Sequence, residues 1–404
     1  MTKLAFSKRY NLVVKKYDDL LTKPNTLESE EESDGVIYRY QNPVLTSHHI
    51  PIFWEYDLNP ITNPFFMKRF GVNSVFNPGA IRVNGRYFLV ARVEGYDRKS
   101  FFAVAESPNG VDNFRFHNKP IWIQTLDDGE VNIYDMRLTE HEDGWIYGVF
   151  CSESKDPDAP PGDETSAIAR CGIVRTKDLE HWERLPNLKT KSNQQRNLVL
   201  HPELVEGKYA FYTRPQDGFI DSGSQGGIGF GLAERIEEPV IEIEKTIFPK
   251  KYHTCYEYKN GLGPAPLKTD LGWLHLAHGV RNTAAGLRYT LYTFMTAIDD
   301  PTKVIYVPGG YLLAPKGKER VGDVSNVLFS NGWVLDENDR ILIYYASSDT
   351  RVHVAETSLD RMLDYVVNTP PDEGTYQHSL KRMLALIDGN LNYNEKNHHL
   401  LDSL

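Results

Sequence analysis

The sequence is short of cysteine, of positive charge and of long apolar runs, and each shortage removes a class of protein. Three cysteines, Cys151, Cys171 and Cys255, are odd in number and lack CxxC spacing. Neither a disulfide framework nor a structural zinc site is expected, and the three read as buried thiols. Lys and Arg total 45 against 55 Asp and Glu, a formal charge of −10. That is the opposite of the basic footprint of a nucleic-acid or anionic-membrane binder. The longest apolar run, Ile341 to Ala346, falls far below the roughly 18 residues of a membrane span, and mean hydropathy is −0.46. The start of the chain is broken every few positions by Lys, Arg or Asp. It lacks the apolar core of a secretory signal, so a cytoplasmic location is expected.

Aromatic and turn residues are plentiful: 23 Tyr, 18 Phe and 6 Trp accompany 30 Gly and 23 Pro. Aromatic enrichment with frequent turn residues favours strands, so the fold class expected is all-β. Ala80 to Ala91 is two alternating runs around Asn84-Gly85, a strong hairpin signal. Similar hairpins are centred on Asp143-Gly144, Glu206-Gly207, Leu271-Gly272 and Asn338-Asp339, at intervals of 59, 63, 65 and 66 residues. Near-equal spacing of five hairpins, each followed by a further strand, predicts a five-bladed β-propeller. A pair of β-sandwiches is the alternative, but sandwiches need no regular period.

Tyr10, Val13, Val14, Tyr17, Leu20 and Leu21 fall at helical spacing and predict a helix over 8–22, followed by an acidic connector at 28–35. A second helix is expected from Tyr376 to Leu386. The chain therefore divides into an N-terminal extension (1–34), a propeller (35–365) and a C-terminal helical extension (366–404). Contact between copies through a terminal helix, and so a homo-oligomer, is expected.

The innermost strands of propeller blades converge on one axis, so residues at equivalent distances from each turn glycine should meet. Counting back gives Asn77, Asp135, Asn197 beside Arg196, and Pro264 just before Lys268; counting forward gives Arg92 and Arg214. The set holds several cations and a single carboxylate, Asp135. Guanidinium forks and a lysine point charge suit an oxyanion, with phosphate the natural candidate. Inverting and retaining glycosidases both need two carboxyl groups, whereas phosphate is itself a nucleophile, so one carboxylate with a phosphate site suits phosphorolysis of a glycoside. Trp54 and Tyr96 are candidates to stack on sugar faces. His201, His253 and His353 show no metal-site spacing, and no cofactor is expected.

At these residues the sequence resembles the mannoside phosphorylases of glycoside hydrolase family 130. The motifs are Asn-Pro-Gly-Ala-Ile-Arg (77–82), Tyr-Asp-Met-Arg-Leu-Thr (134–139), Arg-Asn-Leu-Val-Leu-His-Pro-Glu (196–203), the stretch 207–215, Gly-Pro-Ala-Pro-Leu-Lys-Thr (263–269), the stretch 272–280 and Tyr-Tyr-Ala-Ser-Ser-Asp-Thr (344–350). Residues 92–100 resemble the branch of that family that acts on 4-O-β-D-mannosyl-D-glucose. The resemblance implies a five-bladed propeller and inverting phosphorolysis of that disaccharide to α-D-mannose 1-phosphate and D-glucose, with phosphate as co-substrate. It implies that Asp135 is the general acid, acting by way of the mannose 3-hydroxyl, and that Asn77, Arg92 and Asp349 hold the mannosyl unit. It further implies a phosphate set of Arg196, Asn197, Arg214 and Lys268, with His278 and Tyr289 beside them. Many members carry Glu-Asp-Pro-Arg where this chain has Tyr134-Asp135-Met136-Arg137. The rival readings are phosphorolysis of another β-mannoside, a β-mannoside hydrolase whose second carboxylate would be Glu203, Asp217, Asp323 or Asp349, and a non-catalytic propeller that binds glycans or proteins.

Overall fold

The computed structural model describes residues 2–397 apart from 127, 128 and 193. Helix α1 (Thr2–Leu21) leads to the short strand β1 (Tyr38–Arg39) and a single helical turn, α2 (Ile52–Glu55). The side chains expected to form the inward stripe of α1 are its covered ones, with Leu21 buried and Tyr10 edge-on to Phe66. Helix α1 begins six residues earlier than the apolar spacing predicts, because Phe6 also packs on Phe66.

Five strand groups follow in chain order. They are β2 (Val72–Val83), β3 (Arg86–Gly95), β4 (Ser100–Ser107) and β5 (Arg115–Phe116); then β6 (Glu130–Glu140), β7 (Ile146–Lys155), β8 (Ala167–Thr176) and β9 (Glu183–Leu188). The third group is β10 (Val199–Leu200), β11 (Tyr209–Thr213), β12 (Ile228–Ala233) and β13 (Glu244–Phe248). The fourth is β14 (Lys259–Leu262), β15 (Leu267–Thr269), β16 (Gly272–Thr283), β17 (Gly286–Thr296) and β18 (Val304–Tyr306). The fifth is β19 (Leu328–Leu335), β20 (Arg340–Ser347) and β21 (Arg351–Ser358), after which come α3 (Leu359–Asn368) and α4 (Tyr376–Asn397). Within each group successive strands pair antiparallel, except that in the fourth β14 and β15 both pair with β16, and the fifth is completed by β1, which pairs with β21 through Tyr38↔Glu356 and Arg39↔Ala355.

Turns sit where the sequence places them because the chain needs left-handed residues there: Asn84 and Gly85 adopt φ of 50° and 79°, Glu206 and Gly207 56° and 74°. The fourth unit departs from expectation. Its short hairpin at Leu271-Gly272 joins β15 to β16, while its long one joins β16 to β17 across Ala284-Ala285, a pair with no turn signature.

Apolar clusters join each unit to the next: Val90 and Phe102 with Met136 and Val174; Tyr147 and Ile173 with Leu200 and Phe211; Tyr212 with Leu262 and Phe294; Leu276 and Leu291 with Ile343 and Tyr345. A fifth cluster packs Leu342 and Val354 against Val75 and Leu89, returning from the last unit to the first. The same two units touch at their innermost strands, where β19 and β2 form a parallel bridge, Asn331↔Gly79. Side chains are excluded at that approach. A Cβ on Gly79 would stand 2.8 Å from the Met136 carbonyl oxygen, and one on Gly332 2.6 Å from the Ala80 nitrogen.

Candidate functional site

Three innermost strands break their ladders at the same place. Register shifts fall between Phe76 and Gly79 on β2, Tyr134 and Arg137 on β6, and Phe329 and Gly332 on β19. A bulge re-aims the side chain it carries and costs backbone strain. Asn77 and Asp135 take φ of 45° and 60°, and Asp349, on the turn between β20 and β21, takes 52°. Asn and Asp are the non-glycine residues that tolerate this region best. The two bulges bring their side chains together, Asn77 Nδ2 donating to Asp135 Oδ1 at 2.9 Å.

These residues open on a cavity of about 570 Å³ lined by all five units, within the roughly 300–1,000 Å³ of small-molecule sites. One sector is acidic. Asp135, Glu94 and Asp349 surround Arg92, with Asp323 near Asp349, and the Arg92 guanidinium lies between the rings of Phe76 and Tyr134, 4.4 and 4.7 Å from their centres. Arg92 Nη1 stands 3.4 Å from Asp135 Oδ1, while Nη2 donates to Glu94 Oε2 at 2.7 Å. Burial, then the neighbouring charge of Asp135, pushes the Asp349 carboxyl up to about 7.

The other sector is cationic. Arg196 donates to the Phe219 carbonyl at 2.8 Å and lies over its ring. Arg214, buried, lies 2.7 Å from His278 Nε2. Burial and the Arg214 charge hold the His278 pKa far down, so the ring is neutral and Nε2 accepts the arginine's hydrogen. Lys259 is buried beside them, and burial followed by the Arg214 and Arg196 charges pushes its ammonium down to about 7. Among the described residues none of the three donates to a carboxylate, so the crowded cations repel one another, and a bound anion relieves that repulsion.

Of the residues expected at the site, Asn77, Arg92, Asp135, Arg196, Asn197, Arg214, Tyr289 and Asp349 line this cavity. His278 stands behind Arg214, stacked with Tyr289. Lys268 is elsewhere: more than half exposed, it pairs with Glu203 at 2.5 Å. In the fourth unit the innermost position belongs to β14, so the cavity's lysine is Lys259, thirteen positions before Gly272 and outside the count that selects Lys268. The single carboxylate expected is also corrected, since Glu94, Glu153, Asp323 and Asp349 accompany Asp135. Glu94 and Glu153 each stand nine positions after a turn glycine, Gly85 and Gly144, a legible signal just beyond the count that gives Arg92 and Arg214; Asp323 sits on a loop and has none. Asp217 caps Ser224 instead of lining the cavity. Trp54 packs on Phe101 and Phe116, and Tyr96 is exposed; the lining aromatics are Phe76, Tyr134, Phe219, Tyr289 and Phe329. Cys151 and Cys171 are buried as expected, whereas Cys255 is only half-buried.

The family model for β-1,4-mannooligosaccharide phosphorylase, glycoside hydrolase family 130, matches residues 37–368. The chain belongs to this family. It is 59% identical over 375 residues to a 4-O-β-D-mannosyl-D-glucose phosphorylase of Bacteroides fragilis, covering 93% of this chain and 95% of that relative. A β-1,4-mannooligosaccharide phosphorylase of Ruminococcus albus is 28% identical over 78% of this chain and 91% of its own. In fold, this family 130 chain matches the solved β-1,2-mannobiose phosphorylase of Listeria innocua with a TM-score of 0.64 at 21% identity, over 82% of this chain and 99% of that one.

Proposed function

We infer that this family 130 enzyme phosphorolyses 4-O-β-D-mannosyl-D-glucose reversibly to α-D-mannose 1-phosphate and D-glucose. The relative at 59% identity carries that activity in its name. The observation that carries the reading is one cavity in which a carboxylic acid, Asp135, and a crowd of cations, Arg196, Arg214 and Lys259, face the same space. Phosphate, held by those cations and by the Asn197 amide, attacks the anomeric carbon on the face opposite the glucose. The C1–O bond to glucose breaks as the C1–O bond to phosphate forms, and the proton of Asp135 ends on the glucose 4-oxygen, by way of the mannose 3-hydroxyl as the family resemblance implies. Asn77, Arg92 and Asp349 hold the mannosyl ring. A single displacement inverts the anomeric centre, giving the α-phosphate.

The extra carboxylates give hydrolysis a specific footing, since an inverting hydrolase needs a base to activate water. Glu94 is already committed to Arg92, whereas Asp349, its carboxyl at about 7, has the basicity such a base needs and is the candidate for that role. Incubation with the disaccharide, with and without phosphate, followed by proton NMR, separates the two. Phosphorolysis gives α-mannose 1-phosphate only with phosphate. Free mannose released at a comparable rate without phosphate overturns this reading.

The cyclic succession of shared cores supports a five-bladed propeller at 35–365, flanked by extensions at 1–34 and 366–404. Helix α4 supports self-association. Tyr376, Leu380, Met383, Leu384, Ile387 and Leu391 are all exposed on it, and their spacing is palindromic about 383/384. A second copy running antiparallel across a two-fold axis therefore sets Tyr376 against Leu391 and Leu380 against Ile387, with Lys381 within reach of the other copy's Asp388. A cytoplasmic location accords with the supply of phosphate as a co-substrate.

A further inference from the structure

We propose that Arg137 is a positioning residue that sets the proton donor and the phosphate site in one fixed geometry. The proposal rests on the phosphorolysis reading above. Arg137 is 1% exposed and spends its guanidinium on three strand groups: Nη1 donates to the Asp135 carbonyl at 3.0 Å, Nη2 to Asn197 Oδ1 at 3.1 Å, and Nε to the Gly263 carbonyl at 2.9 Å. Its carbon Cζ lies 5.8 Å from the ring centre of Phe329, on a fourth group.

Each contact has a consequence for the site. The first holds the peptide of a residue at φ 60°, the strained backbone that aims the Asp135 carboxyl into the cavity. The second fixes the Asn197 amide, because of its two ends only the oxygen can accept from a guanidinium. With Oδ1 turned to Arg137 and one Nδ2 hydrogen donated to the Leu262 carbonyl at 2.9 Å, the remaining hydrogen is free for an anion in the cavity that Asn197 lines. None of the three bonds goes to a carboxylate, so the buried charge is expensive, and a neutral residue of similar volume would serve packing better. The planar fork satisfies three acceptors in fixed directions, which a lysine cannot do.

The test uses Arg137→Lys, which keeps the charge, and Arg137→Gln, which removes it, assayed in the full chain with mannosylglucose and phosphate. Folded variants of both kinds should lose about 10²-fold in kcat, the effect of a small misplacement of reacting groups. The phosphate KM should rise about tenfold while the disaccharide KM holds. In an Asn197→Ala background, the effect of Arg137→Lys on phosphate KM should vanish. Folded variants with wild-type kcat and KM, or effects that simply add in the double variant, overturn the proposal. Should neither variant fold, a crystal structure of the wild-type enzyme with phosphate decides it: Asn197 Nδ2 donating to the phosphate supports the role, and a phosphate untouched by Asn197 refutes it. A wild-type enzyme inactive with phosphate is a separate result that removes the phosphorolysis reading itself, and this proposal with it.

Discussion

Asn77 Nδ2 and Arg92 Nη1 both approach the same oxygen of Asp135, Oδ1, at 2.9 and 3.4 Å. Two donors on one oxygen stabilise charge there, so in the acid role proposed for Asp135 it is Oδ2 that would carry the proton. Asn77 and Asp135 come from equivalent bulges on neighbouring inner strands, so the orientation of this carboxyl is set by backbone geometry in two units at once.

Asp135→Asn should fold normally and lose nearly all turnover. Loss of general-acid assistance costs about 10²- to 10⁴-fold, and the amide preserves the hydrogen bond to Asn77 after a flip. Steady-state kinetics with a melting curve check this; more than a tenth of wild-type rate with an unchanged melting curve would remove Asp135 from the acid's role.

Lys259→Ala and Arg214→Ala should raise the phosphate KM far more than the disaccharide KM, by about 1.5–3 kcal/mol for one charged donor. Lys268→Ala should leave both near wild type, because its exposed pair with Glu203 is worth little. A large phosphate defect in the Lys268 variant, with none at Lys259, would return the phosphate role to Lys268.

Asp349 links stability to pH. Its carboxyl is raised from 3.8 to about 7, so between those values the native state holds a proton that the unfolded chain has released. Stability contributed by this group is therefore present at low pH and falls as pH rises from about 4 to about 7. Asn cannot ionise, so the melting temperature of Asp349→Asn relative to wild type should climb from pH 5 to pH 8. A difference that is flat with pH would show that the carboxyl titrates normally.

Met383→Glu with Leu384→Glu places four carboxylates around the two-fold axis proposed for α4. The apparent mass by light scattering should drop to that of one chain, 46.2 kDa. An unchanged multiple would put the contact elsewhere; a wild type already of single-chain mass would abolish it.

The repeat was legible because hairpin turns demand left-handed residues, and Asn84-Gly85 and Glu206-Gly207 supply them at regular distance. The same regularity located Asn77, Asp135, Asn197, Arg92 and Arg214. It failed in the fourth unit, where the inner strand is divided into β14 and β15 and the long hairpin turns through two alanines, so that Lys268 was reached in place of Lys259. Glu94 and Glu153 recur nine positions after Gly85 and Gly144, whereas Asp323, on a loop outside the strand repeat, follows no period, since only the tertiary fold brings it to the cavity.

The pairing of β1 with β21 ties the order of synthesis to the order of folding. The strand that finishes the last sheet emerges first and must wait for more than 300 residues of chain, Tyr38 meeting Glu356 only once nearly everything between them exists. Such a distant contact is slow to form and leaves an open strand edge exposed meanwhile. Trimming either end should therefore damage one and the same sheet. Loss of residues through Arg39 uncovers the edge of β21, and loss of residues from Arg351 onward leaves β1 nothing to pair with, so a clip near the amino terminus should loosen the carboxy-terminal unit first.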